Sequence, residues 1–221
     1  LNNFTSSVND LGVMLDSRLS MEDHVKNICR KCFYQIHRIR TIRRFLTIES
    51  TKTLVHSFVC SRVDFSNSVM YGINLLLQDC VQSVLNAAAR MIAGVSKFDS
   101  ISSYMRDELH WLRFPFRVKF KIALLVRDCL IGDAPAYLIE QLMLVSRVHG
   151  RCHLRSLDHG ELVMPSFRSS TFGRRRFSVV AAEIWNSLPV QLKDGSITDR
   201  QLFKKSLEHH YFNIVHHRKR F

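Results

Sequence analysis

Two groups of cysteine and histidine residues stand close enough in the sequence to suggest a metal site. Cys29 and Cys32 have the spacing of half a structural zinc site, and His149, Cys152 and His153 form a second group. A structural zinc ion needs four ligands, normally from two such pairs or from one pair and two spaced histidines. Neither group has the remaining ligands at a suitable spacing. The sequence therefore predicts no metal site, and it favours buried, reduced thiols at Cys29 and Cys32.

The recognisable motifs of enzymes are also missing from the sequence. It contains no glycine-rich phosphate loop, no nucleophile elbow and no metalloprotease helix. Its acidic residues are sparse and unpaired, whereas two-metal phosphoryl transfer needs clustered carboxylates. We therefore expect no catalytic residues, no cofactor and no small-molecule substrate, and we expect the chain to act by binding.

Positive charge is concentrated in three segments of the 221-residue chain, whose net charge is +13. Lys and Arg outnumber Asp and Glu by seven to two in residues 21–45, seven to two in residues 147–176 and six to two in residues 198–221. In residues 46–146 the ratio is only ten to nine. Clustered basic charge favours a polyanionic partner, nucleic acid before membrane. A solvated basic surface is an equally good interpretation of the charge alone.

The elements that position these charges begin with residues 11–45. Residues 11–15 predict a strand, or a sheet edge whose partners are missing from the chain. From a Ser20–Asp23 capping box onward, the spacing of apolar residues predicts a long amphipathic helix that ends or bends near Thr41 or Ile42. The predicted buried stripe consists of Val25, Ile28, Cys29, Cys32, Phe33, Ile36 and Ile39. Basic residues on the opposite side are Lys26, Arg30, His37 and Arg44.

The remaining sequence predicts further helices, and so a mainly α fold. The first of these covers residues 47–62, with Thr47 as its N-terminal cap and Leu54, Val55, Phe58 and Val59 buried. The next covers residues 75–93, ends at Gly94 and buries Val81, Val84, Leu85, Ala88, Met91 and Ile92. Two more cover residues 100–109 and 115–131. A fifth helix is predicted over residues 135–145. An irregular connector follows, with a short strand at residues 162–164. The last two helices cover residues 177–188 and the segment from a Thr198–Gln201 capping box past Tyr211, in which Phe203, Leu207 and Tyr211 line one side. No apolar run is long enough to cross a bilayer, and the thiols favour an intracellular compartment.

Several stretches carry a resemblance to one family. Residues 172–189 (FGRRRFSVVAAEIWNSLP) look like the tail of the open reading frame in many LINE-type, jockey-like non-LTR retrotransposons. Residues 85–90 (LNAAAR), 108–112 (ELHWL) and 117–122 (RVKFKI) are similar to the region that follows the reverse-transcriptase palm in those proteins. Residues 11–13 (LGV) with Asp16 resemble the end of the palm, and residues 203–205 (FKK) with Leu207 resemble the last helix. The family often has an acidic residue after the aromatic-Gly pair, where this chain has arginines.

The resemblance implies a domain organisation and a function. Residues 1–20 would be the end of the palm, 21–145 a helical thumb or connection bundle, 146–176 a basic connector and 177–221 a helical C-terminal segment. The aromatic-x-Asp-Asp turn of the polymerase site does not occur in the chain, which begins at Leu1 rather than Met, so we expect an internal part of a longer polymerase. Its partners would be the palm, RNA template and DNA primer, in a nuclear or cytoplasmic ribonucleoprotein.

A thumb of this kind holds nucleic acid by its backbone. We therefore predict phosphate contacts from the first helix at Lys26, Arg30, Arg40 and Arg44, and a second contact from Arg174, Arg175 and Arg176. The alternative is a decayed or repurposed retroelement fragment that acts as a helical protein-interaction module. It would bind a partner through the exposed strand edge at residues 11–15.

Overall fold

The computed structural model describes residues 7–147, 160–169, 172–193 and 198–217. The chain divides into two compact units, Leu1–Arg117 and Val118–Phe221. The described chain is mainly helical, which confirms the predicted fold class, and its named strands form one small antiparallel sheet. Among these residues, none of the helices combines the length and apolar character needed to cross a membrane.

The first unit begins with a hairpin and continues with helices. Its elements are β1 (Ser7–Asp10), β2 (Val13–Asp16), α1 (Glu22–Ile42), α2 (Ile48–Val55), α3 (Ser61–Asp64), α4 (Leu75–Ala93) and α5 (Ser102–Asp107). The division between units falls within α6 (Phe114–Ile131). The second unit continues with α7 (Ala136–Ile139), α8 (Phe177–Asn186), α9 (Val190–Lys193) and α10 (Arg200–His217).

The hairpin corrects the prediction of a strand with missing partners over residues 11–15. Leu11 and Gly12 form the turn, with φ angles of 45° and 87°, the pattern of a type I′ hairpin turn. β2 pairs with β1 in antiparallel register, Val8 opposite Leu15. The partner strand is therefore present in the chain, and Leu11 is 89% exposed at the hairpin tip rather than part of a strand.

The core of the first unit forms where α1 packs on α4. The predicted inward residues of α4 are all buried: Val81, Val84, Leu85, Ala88, Met91 and Ile92. Gly94 ends α4 with a φ of 72°, as its sequence signal predicts. On α1, which ends at Ile42 as predicted, five of the predicted stripe residues are buried: Val25, Ile28, Cys32, Ile36 and Ile39. The other two were wrongly predicted to be buried: Cys29 is only half-buried, and Phe33 is 43% exposed because it lies at the margin of the apolar stripe.

A π-helical segment, His56–Cys60, continues α2 and changes which side chains face the core. Thr47 caps α2 as predicted, its hydroxyl accepting a hydrogen bond from the Ser50 N–H at 3.1 Å. Val55 and Val59 are buried as predicted, but Leu54 is only half-buried and Phe58 is 44% exposed. A π turn holds one more residue than an α turn. A regular 3.6-residue period therefore misplaces Phe58.

In the second unit, the predicted helix over residues 135–145 is much shorter. α7 ends at Ile139, and the chain then approaches Gly160–Val163. The Val145 N–H donates to the Glu161 carbonyl at 2.9 Å, and the Val163 N–H donates to the Met143 carbonyl at 2.8 Å. The predicted strand at residues 162–164 is only an isolated bridge between Leu144 and Leu162. Pairing with this distant segment takes residues 143–145 out of the helix.

The last helix, α10, starts on a different cap from the predicted Thr198–Gln201 box. The Asp199 carboxylate accepts the N–H groups of Gln201 at 2.8 Å and Leu202 at 3.2 Å. Asp199 is thus the N-terminal cap, one residue after the predicted one. The predicted inner side of α10 is confirmed, since Phe203, Leu207 and Tyr211 are buried.

Candidate nucleic-acid interface

The start of α1 is held by the hairpin through Asp16 and His24, not by the predicted Ser20–Asp23 capping box. The Asp16 carboxylate accepts the backbone N–H groups of Ser20 (3.0 Å), Met21 (3.0 Å) and Arg18 (2.9 Å). The pKa of Asp16 is lowered chiefly by the hydrogen bond from the Ser20 N–H, and the Met21 and Arg18 N–H groups add to this effect. Met21 precedes α1 and its own side chain makes no capping hydrogen bond, whereas the Ser20 hydroxyl accepts the Glu22 N–H at 3.3 Å. A loop bound to one carboxylate therefore sets the direction in which α1 leaves the hairpin.

The imidazole of His24 adds a second connection between the hairpin and α1. It is 2% exposed, and its Nδ1 accepts the Met14 N–H at 3.2 Å. Burial, with a smaller effect from Lys31, lowers the pKa of His24. A neutral imidazole can accept this hydrogen bond, whereas a protonated one cannot.

One exposed stripe runs along α1 beside its buried face. Its members are spaced by four and three residues in turn, so they lie along one helix face: Lys26, Arg30, Phe33, His37 and Arg40, followed by Arg44 in a 3₁₀ turn. From Lys26 to Arg40 the stripe is about 21 Å long, at about 1.5 Å per residue. We call these six residues the α1 stripe.

The four basic residues predicted to contact phosphate differ in the partners they already have. Lys26 forms an exposed ion pair with Glu22 at 2.6 Å, and its pKa is raised by that hydrogen bond first and by the Glu22 charge second. Arg30 donates to the neutral Asn27 amide at 3.4 Å, and Arg44 lies 4.6 Å from the centre of the Phe45 ring. The Arg40 side chain has no hydrogen-bond or ion-pair partner within the described part of the chain. Arg40 therefore has the most freely available charge of the four.

Aromatic side chains lie among these cations, a feature that the prediction of a buried Phe33 missed. Phe33 is 43% exposed, Tyr34 56% and Phe45 74%. The Arg38 guanidinium lies 5.9 Å from the centre of the Tyr34 ring and donates to its hydroxyl at 3.2 Å. Exposed aromatic rings between cations are typical of proteins that stack unpaired bases while they bind phosphates.

The last turn of α1 also approaches cations from a distant part of the sequence. Arg40 and Arg43 line an open cleft together with Arg90 and Lys97, which lie near the end of α4. Sequence reasoning missed this cluster, because Arg90 and Lys97 belong to a segment with nearly balanced charge. The only sequence signal was the position of Arg43 on the apolar side of α1.

Arg174, Arg175 and Arg176 lie in a turn before α8, within the second unit. Arg174 and Arg176 are exposed and Arg175 is half-buried. Gly173 makes the turn possible, because a Cβ there would lie 2.7 Å from the Ser169 carbonyl oxygen. The Arg174 N–H donates to that same oxygen at 3.2 Å. A larger residue would not fit at Gly173, which explains the glycine of the aromatic-Gly pair. The turn leaves two of the three predicted arginines exposed to solvent.

The tail stretch EIWNSLP (183–189) holds a neighbouring segment by side-chain hydrogen bonds. The Trp185 indole N–H donates to the Gly160 carbonyl at 2.9 Å. The Asn186 amide accepts the Leu162 N–H at 2.9 Å and donates to the Leu162 carbonyl at 2.8 Å. We call Trp185 and Asn186 the tail clasp. Its contacts give these residues a structural role in the second unit.

The cysteines of the first metal-like pair are poor metal ligands in this fold. Cys32 is fully buried, and burial raises the pKa of Cys32 to about 12 and of Cys29 to about 11. Metal ligation requires the thiolate, which such pKa values disfavour. No group of three or more potential ligands lies together among the described residues. His149, Cys152 and His153 lie outside those residues.

Comparison with known proteins adds no family assignment. No protein-family model matches the chain, and no curated protein and no solved structure matches it.

Proposed function

We propose that the chain binds nucleic acid through the α1 stripe and belongs to the C-terminal part of a LINE-type reverse transcriptase. In that role it would hold an RNA template paired with a DNA primer, and residues of a palm elsewhere in the polymerase would perform the chemistry. The observation that carries this proposal is the row of exposed cations and aromatic rings along α1. The family assignment is supported by the sequence resemblance alone.

The composition of the stripe suits contact with a nucleic-acid backbone. Each phosphate that a cation neutralises releases condensed counterions, so binding of this kind weakens steeply as salt rises. Where template bases are not paired with the primer, Phe33 and Tyr34 add surfaces on which they can stack, worth about 1–3 kcal/mol per base. A paired hybrid is recognised mostly by its shape and by its backbone, so we expect little sequence preference.

The test is a titration of the full chain with a random-sequence RNA–DNA hybrid at two salt concentrations. We expect Lys26→Ala with Arg30→Ala to weaken binding at low salt and to reduce the magnitude of the slope of log K against log salt by about one to two. The matched control is Lys52→Ala with Arg113→Ala, which removes two cations of the same unit outside the stripe. Equal effects of the two double variants would show that net charge, not the stripe, governs binding.

A protein-interaction module is the alternative, and one observation bears on it. Val8 in β1 is 57% exposed and Leu11 at the hairpin tip is 89% exposed. The β1 edge could add a strand from a partner protein. Absence of hybrid binding at low salt would refute the nucleic-acid proposal and leave this alternative.

A further inference from the structure

An open cleft with a volume of about 430 Å³ lies between the end of α1 and the end of α4. Four cationic side chains line it: Arg40, Arg43, Arg90 and Lys97. Its other lining residues are Ala87, Met91, Gly94 and Val95, so no carboxylate-bearing residue of the described chain lines it. Small-ligand sites typically have volumes of about 300–1,000 Å³. The cleft therefore has the size and the charge of a site for a compact anion.

Two of the four cations are held in place by neutral partners. The Arg43 guanidinium donates to the carbonyls of Leu46 at 3.0 Å, Ile92 at 3.3 Å and Met91 at 3.4 Å. The Arg90 Nε donates to the Asp99 carbonyl at 3.1 Å. A carbonyl orients a guanidinium without cancelling its charge. Arg43 also covers the last carbonyls of α4, which carry the negative end of the helix dipole and would otherwise repel an anion.

The other two cations have no acidic partner among the residues that the structure describes. Arg40 has no side-chain partner in the described structure, and the Lys97 ammonium lies 4.8 Å from the centre of the exposed Phe98 ring. The Asp99 carboxylate accepts the Ser96 N–H at 2.8 Å, and no ion pair among the described residues joins it to these cations. The cleft thus combines two oriented guanidinium groups with two cations that can close on a ligand.

We propose that this cleft binds a phosphate group, and specifically a backbone phosphate of the strand that lies along the α1 stripe. That the phosphate belongs to a nucleic-acid strand rests on the proposed function. That the cleft suits a phosphate group does not depend on it. Guanidinium groups suit phosphate, because their N–H groups match two of its oxygens at once. Arg40 belongs to both the stripe and the cleft, so a strand that follows the stripe reaches the cleft where α1 ends.

The first experiment measures binding of the RNA–DNA hybrid by the full chain with Arg40→Gln and Lys97→Gln. These two side chains donate no hydrogen bond within the described structure, so the fold should tolerate the changes. We expect binding to weaken about three- to tenfold at low salt and the salt slope to fall in magnitude by about one, as for one lost phosphate contact. Lys52→Gln with Arg113→Gln, the same change of charge in the same unit, should change neither quantity.

The second experiment titrates the full chain with inorganic pyrophosphate and follows the backbone amide signals of Gly94 and Val95 by NMR. We expect both signals to shift in the natural chain and to stay unchanged in the Arg40→Gln, Lys97→Gln variant. Shifts without any hybrid binding would refute the proposed function and support the cleft as a phosphate site. Hybrid binding that responds to Lys26→Ala and Arg30→Ala but not to the cleft variant would overturn the cleft proposal and the predicted phosphate contact of Arg40, and it would leave the rest of the proposed function standing. If the chain neither binds the hybrid nor shows amide shifts with pyrophosphate, both the proposed function and the cleft proposal are refuted.

Discussion

Replacing Asn186 with Ala should destabilise the second unit by removing half of the tail clasp. The Asn186 amide makes two hydrogen bonds, at 2.9 and 2.8 Å, to the backbone N–H and carbonyl of Leu162, which is 2% exposed. A typical hydrogen bond contributes about 1 kcal/mol, and a buried backbone group left without a partner costs about 1–3 kcal/mol. We therefore expect the free energy of unfolding to fall by about 2–4 kcal/mol.

Urea unfolding followed by circular dichroism measures this loss, and amide hydrogen exchange shows where it acts. With a denaturant dependence of about 1–3 kcal/mol per molar, the transition of the second unit should move down by about 0.7–4 M. Exchange should accelerate at residues 161–163. Asn213→Ala is the matched control, because Asn213 is exposed on α10 of the same unit and its loss should change stability by less than about 0.5 kcal/mol. A loss in Asn186→Ala no larger than in the control would refute the clasp.

Two further predictions concern side chains whose pKa values the fold shifts. Asp16→Ala should lower the free energy of unfolding by about 1 kcal/mol at neutral pH, like the loss of a helix cap. The folded pKa of Asp16 lies below its ordinary 3.8, chiefly because of the Ser20 N–H. The stabilisation by Asp16 is therefore complete above pH 3.8 and is lost as the pH falls through the folded pKa. Thermal unfolding at pH 7 and in acid checks it, and a difference between variant and natural chain that persists in acid would contradict it. Burial raises the pKa of Cys32 and Cys60 to about 12, so at neutral pH iodoacetamide should label exposed Cys80 and spare both until the chain unfolds. Mass spectrometry of the labelled peptides measures this, and equal labelling of Cys32 and Cys80 would disprove it.

Helices with strong local signals could be predicted from the sequence almost to the residue. α4 combines an apolar stripe with Gly94 at its end, and α8 ends just before Pro189. These signals act over one or two helical turns, so the local sequence determines where these helices begin and end. The inner side of α10 is predictable for the same reason, because Phe203, Leu207 and Tyr211 follow helical spacing.

Features that depend on distant partners could not be predicted in this way. The π turn at His56–Cys60 rotates Phe58 outward, and nothing in the local sequence demands the extra residue. Residues 143–145 leave their predicted helix to pair with residues 161–163, a contact between segments that are distant in sequence. The cleft joins Arg40 to Arg90, which are 50 residues apart in sequence. Its charge cluster exists only because α1 packs on α4.

Burial of individual arginines also limits what the net charge of +13 can say about binding. The Arg117 side chain is 12% exposed, pairs with Asp64 at 2.8 Å and donates to the Leu112 carbonyl at 2.9 Å. Arg127 is 1% exposed and pairs with Asp128 at 2.9 Å in the second unit. Separating such a cation from its partner would leave a buried charge uncompensated, so neither arginine can turn toward a phosphate. A polyanion can therefore bind only to exposed cations such as Arg30 and Arg40. The slope of log K against log salt should correspond to far fewer phosphate contacts than the net charge suggests.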